Sequence, residues 1–226
     1  MDIHKPKPWH GFRGFLKEYL VIVVGVLTAL GGEQLVEEIH WRHEVRAAHG
    51  AMAAEIAEDN RVFAYRAAAA PCIERRLDSI EALAERIARR EPVPRLGEVM
   101  PDTGAALRDN VWESHRASQT LTHFDDEELA RLSTYYQQLA YSRQGMTQES
   151  DSQAALRILQ GDPWRLDQND ISAIRIALQR HRSVNTVLAM IARQQLETSK
   201  RLHVAVPPAD ASRLAVVCQP IATGGP

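Results

Sequence analysis

Tyr19-Leu-Val-Ile-Val-Val-Gly-Val-Leu-Thr-Ala-Leu-Gly-Gly32 is 14 residues without a charge, and no other stretch of the 226-residue chain resembles it. A helix crossing the roughly 30 Å of bilayer hydrocarbon needs about 20 mostly apolar residues. Phe15 and Leu16 extend the stretch on one side, and Leu35 and Val36 on the other. Lys17 stands close enough to the end to bend its ammonium toward the headgroups at small cost. Trp9, Phe12, Phe15 and Tyr19 precede the stretch and Trp41 follows it, where interfacial aromatic anchors belong. The reading is a transmembrane anchor over residues 12–36.

Lys5, Lys7, Arg13 and Lys17 lie before the stretch, against Arg42 and Arg46 in the 18 residues after Gly32. That asymmetry predicts a cytoplasmic N-terminus, with a basic tail over residues 1–11, and export of the rest. Three other readings fit parts of the pattern. A buried core helix matches the apolarity but not the one-sided basic and aromatic flank. A cleaved signal peptide matches the order of regions, with Ala29-Leu30-Gly31 as a loose cleavage site, but the helical pattern continues through that site. A helix lying flat in the headgroups needs a polar face, which residues 19–32 lack.

Net charge is −2 at a pI of about 6.5, with acids and bases intermixed, so no basic field marks a nucleic-acid partner. The 12 Gly and 11 Pro are too few for a low-complexity chain. About 180 residues follow the anchor, enough for one well-buried core. Helical spacing dominates them. A pattern running from Phe12 to about residue 69 meets Pro71, taken as the first turn of a second helix striped by Ile73, Leu77, Ile80, Ala84 and Ile87. Pro92 and Pro94 open a loop to about Thr103, and a shorter helix is expected from Ala105 to about Gln119. Asp125 and Glu128 form a capping box for a helix striped by Leu129, Leu132, Tyr136, Leu139 and Met146 and weakened at Gly145. A further segment covers about 147–160. After a turn at Gly161-Asp-Pro163, the last helix runs from Asp167 or Asn169 to about Leu202, with its middle, Val184 to Ile191, apolar around much of its circumference. Residues 207–226 form an irregular tail with a strand-like Leu214-Ala-Val-Val-Cys218. The fold class is all-α: an N-terminal transmembrane helix continuing into an extracytoplasmic bundle of four to six helices over residues 37–206.

Cys72 and Cys218 are too few and too far apart for a zinc knuckle or a CxxC redox pair. In an oxidising exported compartment they are a disulfide candidate. No GxSxG, P-loop, GxGxxG or HExxH is present. Glu37, His40 and His43 share a face, but a di-iron bundle needs a second Glu-x-x-His and two more carboxylates. No metal, cofactor or catalytic residue is therefore assigned. Trp112, Glu113, His115 and Arg116, with Asn110, form the densest polar-aromatic cluster, a candidate ligand or partner surface. The plainer reading has Trp112 in the core and Glu113 paired with Arg116 at the surface.

The segment Phe15-Leu-Lys-Glu-Tyr-Leu-Val-Ile-Val-Val-Gly-Val-Leu-Thr-Ala-Leu30, running into Glu37-Glu-Ile-His-Trp-Arg-His-Glu44, resembles the start of an uncharacterised group of bacterial single-span, N-terminally anchored helical membrane proteins. The resemblance covers about the first 45 residues. It implies a bacterial inner-membrane location with a periplasmic domain, and brings no activity and no site residues. The expected function is non-enzymatic, a membrane-anchored scaffold or partner-binding protein. The alternative is a periplasmic ligand-sensing bundle acting through another membrane protein, because about 17 residues before the span are too few for a signalling domain.

Gly25, Ala29 and Gly32 fall three or four residues apart on one face of the anchor, with Thr28 beside them. Small residues so spaced let two helices approach closely in lipid, which makes the bilayer, a second copy and another membrane protein the expected partners. Replacing Gly25 and Ala29 with Leu is expected to weaken association of the isolated span in a membrane two-hybrid assay. Unchanged association would reduce the stripe to the ordinary composition of membrane helices.

Overall fold

The computed structural model describes residues 11–101, 105–161 and 165–221. Residues 1–10 of the basic tail, the end of the loop at Thr103, most of the Gly161-Asp-Pro163 turn and the last residues of the chain lie outside them. The described residues are all-helical. They hold α1 (Phe12–Ala88), α2 (Asn110–Ala117), α3 (Asp126–Leu156), α4 (Gln168–Arg201) and α5 (Ala211–Cys218), with 3-10 turns at Thr120–His123 and Arg157–Gln160.

The chain divides into two units, Met1–Ala47 and Ala48–Pro226. In the first, the described residues are almost entirely the leading part of α1, whose apolar side chains are bare: Val21 is 68% exposed, Ile22 65%, Leu27 63% and Leu35 67%. In the second, the same helix buries Met52, Ile56, Phe63, Ala69, Ile73, Leu77 and Ile80 at 2% exposure or less. One helix thus carries two opposite relations between apolar side chains and their surroundings.

Within the second unit, residues 48–88 of α1 pack with α3 and α4. Glu55 meets Tyr136 and Arg66 meets Glu149, so α1 and α3 run parallel. Asn60 meets Ser199 near the end of α4 while Glu74 meets Arg182 nearer its start, so α4 runs antiparallel to α1. A continuous apolar cluster fills one end, from Ile73, Leu77 and Ile80 to Val99, Leu156, Leu159, Ile171 and Ile174. Phe63, Tyr135, Tyr136 and Trp112 fill the other, with Trp112 stacked on Tyr136 at 4.7 Å and Phe63 edge-on to Tyr135 at 6.5 Å.

Pro71 does not begin a helix; it sits inside α1. A proline in a helix interior forfeits a hydrogen bond and crowds the carbonyl four residues back, at a cost of about 3 kcal/mol. Here it follows four alanines, is itself exposed, and leaves Ala69, Ala70, Cys72 and Ile73 buried on the opposite face. Tertiary packing on both sides of the proline keeps the helix going. Gly145 likewise does not interrupt α3, which absorbs most of the segment expected to follow it. A Cβ at Gly145 would meet Leu188 Cδ2 at 2.8 Å, so the missing side chain is what admits Leu188 of α4.

Other expectations shift at their edges. Residues 105–109 are irregular, and α2 begins only at Asn110, because Leu107 and the backbone of Arg108 dock on the bundle instead of coiling. Asp125 caps α3 by accepting from the N–H groups of Glu127 and Glu128, but Glu128 reaches His49 of α1 at 2.8 Å. The reciprocal box appears on α4, between Asp167 and Asp170. The middle of α4 buries one face only: Val184 and Leu188 are inside, whereas Val187 is 44% and Met190 57% exposed. Leu214 to Cys218 is helical, not strand-like; Asp210 caps α5 through the N–H groups of Ser212 and Arg213. Arg213 lies over the Tyr65 ring at 4.4 Å and Val217 is buried.

Pro71→Ala restores a hydrogen-bond donor on an exposed helical face and is expected to stabilise the protein by about 1–3 kcal/mol. A higher thermal midpoint in detergent would show it. A midpoint unchanged or lowered would mean that α1 needs the proline's geometry.

Candidate functional site

Polar side chains occupy core positions of all three long helices. Two hydrogen-bonded clusters result. In the first, the Arg66 guanidinium donates to Glu149 Oε1 at 2.6 Å and to Asn185 Oδ1 at 2.8 Å. Asn185 Nδ2 in turn donates to the Ala70 carbonyl at 3.2 Å, the carbonyl just before Pro71. Ser152 Oγ donates to the Glu149 carbonyl at 2.8 Å and faces His181 Nδ1 at 2.9 Å. The donor in the Ser152–His181 pair follows the imidazole tautomer, and His181 Nε2 lies 3.5 Å from Glu149 Oε1.

Hydroxyl, imidazole and carboxylate in this order suggest a nucleophile relay. The surroundings argue otherwise. Ser152 is 1% exposed, His181 0% and Glu149 4%, Arg66 has taken the carboxylate, and the hydroxyl also meets the Glu149 backbone carbonyl. No substrate reaches Ser152 without parting the helices. Burial, aided by the Arg66 charge and opposed by Glu149, lowers the His181 pKa from 6.5 to about 4.

The second cluster lies nearer Ala48. Glu55 accepts from the Tyr136 hydroxyl and from the Val111 N–H, both at 2.9 Å, and Asp59 Oδ1 accepts from the Arg108 N–H at 3.0 Å. Asn60 donates to the Ala205 carbonyl and accepts from Ser199 Oγ, while Gln195 Nε2 donates to the Tyr135 carbonyl. Arg143 holds Asp109 at 2.5 Å and the Leu107 carbonyl at 3.1 Å. These bonds fasten residues 107–111 and the end of α4 to α1 and α3. Burial, with the nearby Glu55 charge, raises the Asp59 pKa from 3.8 to about 7, against the opposing Arg108 N–H bond. Burial also raises the phenols of Tyr135 and Tyr136.

A third polar anchor closes the other end. All three guanidinium nitrogens of Arg76 donate to backbone carbonyls: Nε to Val99, Nη2 to Glu98 and Nη1 to Gln219. A disulfide joins Cys72 to Cys218 across 146 residues of sequence. Arg75 Nη2 donates to Cys72 Sγ at 3.1 Å. Cys72, Arg75, Arg76, Ser79, Cys218 and Ile221 line a cleft of about 200 Å³ there.

Of the residues singled out from sequence, Cys72 and Cys218 come together as the disulfide bordering that cleft, and the others do not join them there. Trp112 is in the core, Glu113 and Arg116 pair at 2.6 Å on the surface, and His115 is half-buried. Gly25, Ala29 and Gly32 are exposed, with nothing within 4 Å of where a Cβ at Gly25 or Gly32 would lie. His40 tilts against Trp41, whose indole reaches Glu37, and His43 is exposed. Among the described residues, no group of three or more His, Cys, Asp or Glu side chains is placed to hold a metal ion. Sequence reasoning missed Glu55, Asp59, Arg66, Glu149, His181 and Asn185. The available signal was a charge or amide at helical spacing from apolar core positions, as with Glu55 and Asp59 beside Met52, Ile56 and Phe63. No protein-family model matches the chain, and comparison with curated proteins and with solved structures found no match.

The two shifted groups set opposing pH dependences. Between pH 4 and 6.5 the unfolded chain binds a proton at His181 that the native state refuses, so this group makes stability rise with pH. Between pH 3.8 and 7 the native state keeps a proton on Asp59 that the unfolded chain loses, so this group makes stability fall. The two slopes cancel over their common range. Asp59→Asn is expected to uncover a rise on the order of 3 kcal/mol from pH 4 to 6.5, read from urea midpoints. A profile as flat as wild type would mean that His181 does not titrate as its burial requires.

Proposed function

We propose that this chain is a single-span membrane protein with a cytoplasmic N-terminus, whose helical domain from about Ala48 is exported and serves as a scaffold or partner-binding module without catalysis of its own. The observation that carries the reading is the bareness of α1 over its most apolar 18-residue window, in which no residue is buried. That helix is the one among the described residues that is long and apolar enough to cross a membrane. Leaving so many valines, leucines and isoleucines in water costs on the order of 1.5–3 kcal/mol for each fully exposed side chain, and lipid removes that cost. The Lys/Arg asymmetry supports the orientation, and the Cys72–Cys218 bridge supports an oxidising compartment on the side of the domain. With the resemblance of the first 45 residues, this favours a bacterial inner membrane and a periplasmic domain.

The polar core favours binding over catalysis. Its hydroxyl, imidazole and carboxylates are committed to holding helices together and are shut from solvent. Trp112 is occupied by Tyr136, which removes the main support for a ligand-sensing pocket at that helix. The bilayer is the first partner, and the open Gly25–Ala29–Gly32 face admits a second copy or another membrane protein.

C-terminal fusions test the reading. A phosphatase fusion is expected to be active, and a fluorescent-protein fusion of the type that matures only in the cytoplasm is expected to be dark. The reverse result would overturn both orientation and compartment.

A further inference from the structure

We infer that the Cys72–Cys218 bridge is a reversible redox latch, a site at which an external dithiol exchanges with the disulfide and unfastens α5. The inference concerns chemistry at the bridge and does not rest on the membrane reading.

Three observations meet at the bridge. Its two halves differ in access: Cys72 is 6% exposed within α1, while Cys218 is an exposed residue at the end of an eight-residue helix. The bridge borders the cleft of about 200 Å³, which gives a small dithiol or a protein loop room to approach. Arg75, itself exposed, donates to the sulfur of the buried half at 3.1 Å. A neutral disulfide sulfur is a weak acceptor, so the guanidinium gains little from it; a thiolate at the same atom is a full anionic partner. Arg75 therefore favours bond breaking with Cys72 as the leaving group, because a cation beside a thiolate lowers its pKa and a lower-pKa thiol leaves faster.

The exchange balances as follows. A thiolate of the external dithiol attacks Cys218 Sγ; the new S–S bond forms as the Cys72–Cys218 bond breaks, and the electron pair goes to Cys72 Sγ beside Arg75. The dithiol's second thiolate then attacks its own sulfur of the mixed disulfide, and Cys218 leaves as thiolate. The dithiol ends oxidised to a disulfide, and the two cysteines end reduced. Besides the bridge, α5 is held by the buried Val217, by Leu214 packed against the core, by the Arg213–Tyr65 contact and by the Arg76 bond to the Gln219 carbonyl. An eight-residue helix near the chain end, with Val217 its one fully buried side chain, opens at lower cost than the long helices of the bundle.

The test uses the full chain in detergent without denaturant. A monothiol, glutathione, followed by acid quenching and peptide mass spectrometry, is expected to give the mixed disulfide on Cys218 and a free Cys72. Dithiothreitol is expected to reduce the wild-type bridge, with Arg75→Gln slower by roughly threefold and Arg75→Lys close to wild type, as about one unit of leaving-group pKa requires at a Brønsted coefficient of about 0.5. Amide exchange over residues 211–218 should rise on reduction while α1, α3 and α4 stay protected. Adduct on Cys72, equal rates in the Arg75 variants, reduction only in denaturant, or unaltered exchange in 211–218 would each overturn the latch.

Discussion

The bundle depends on one buried charge, the guanidinium of Arg66. It stands in α1 at 3% exposure, with Nη1 paired to Glu149 and Nη2 to Asn185. Glu149 comes from α3 and Asn185 from α4, so the pair cannot form unless three helices sit at one register. Taking two charges out of water costs several kcal/mol, and the gain from pairing roughly offsets it. The network therefore contributes little net stability compared with an apolar substitute. What it supplies is exclusivity: a bundle slipped by one turn would strand Arg66 or Glu149 unpaired in the interior. His181 and Ser152 extend the constraint along α4 and α3, and Asn185 carries it to the carbonyl before Pro71.

Around this centre the rest of the second unit is fastened at its two ends by different means. Near Ala48, the Asp59 and Glu55 carboxylates take the N–H of Arg108 in the non-helical 105–109 segment and the N–H of Val111 in the first turn of α2, where no intrahelical partner exists. Near Ala88, Arg76 takes three carbonyls from two non-helical segments, and the disulfide adds a covalent tie. Arg182 collects Glu74, Asp78 and Glu81 on the half-exposed face between α1 and α4, where water screens it and its contribution is small.

Much of this was legible. The charge-free run of residues 19–32, the 3.6-residue stripes and the caps at Asp125 and Asp167 are local signals, and the all-helical fold follows from them. Pro71 misled because proline is a strong local breaker, while its tolerance here depends on burial of the opposite face against α4, information that does not exist locally. Gly145 misled for the same reason: its meaning lies in Leu188, 43 positions away. The polar core was the largest omission. Glu55, Asp59 and Arg66 look like an ordinary solvated face until the helix is known to be enclosed on that side. The cluster around Trp112 drew attention by composition, whereas the residues that organise the interior are dispersed over three helices.

The bridge between Cys72 and Cys218 also changes what a protease can accomplish. It closes a covalent ring that contains the end of α1 and all of α2, α3 and α4. A single cut anywhere between the two cysteines, for instance in the irregular segment before α2, opens the ring but separates nothing; both fragments stay attached to the part of α1 that bears the apolar run. Only cleavage before Cys72, within a continuous helix, would shed the domain whole. An oxidised molecule nicked once in a loop therefore remains one tethered object, and reduction decides when it becomes two.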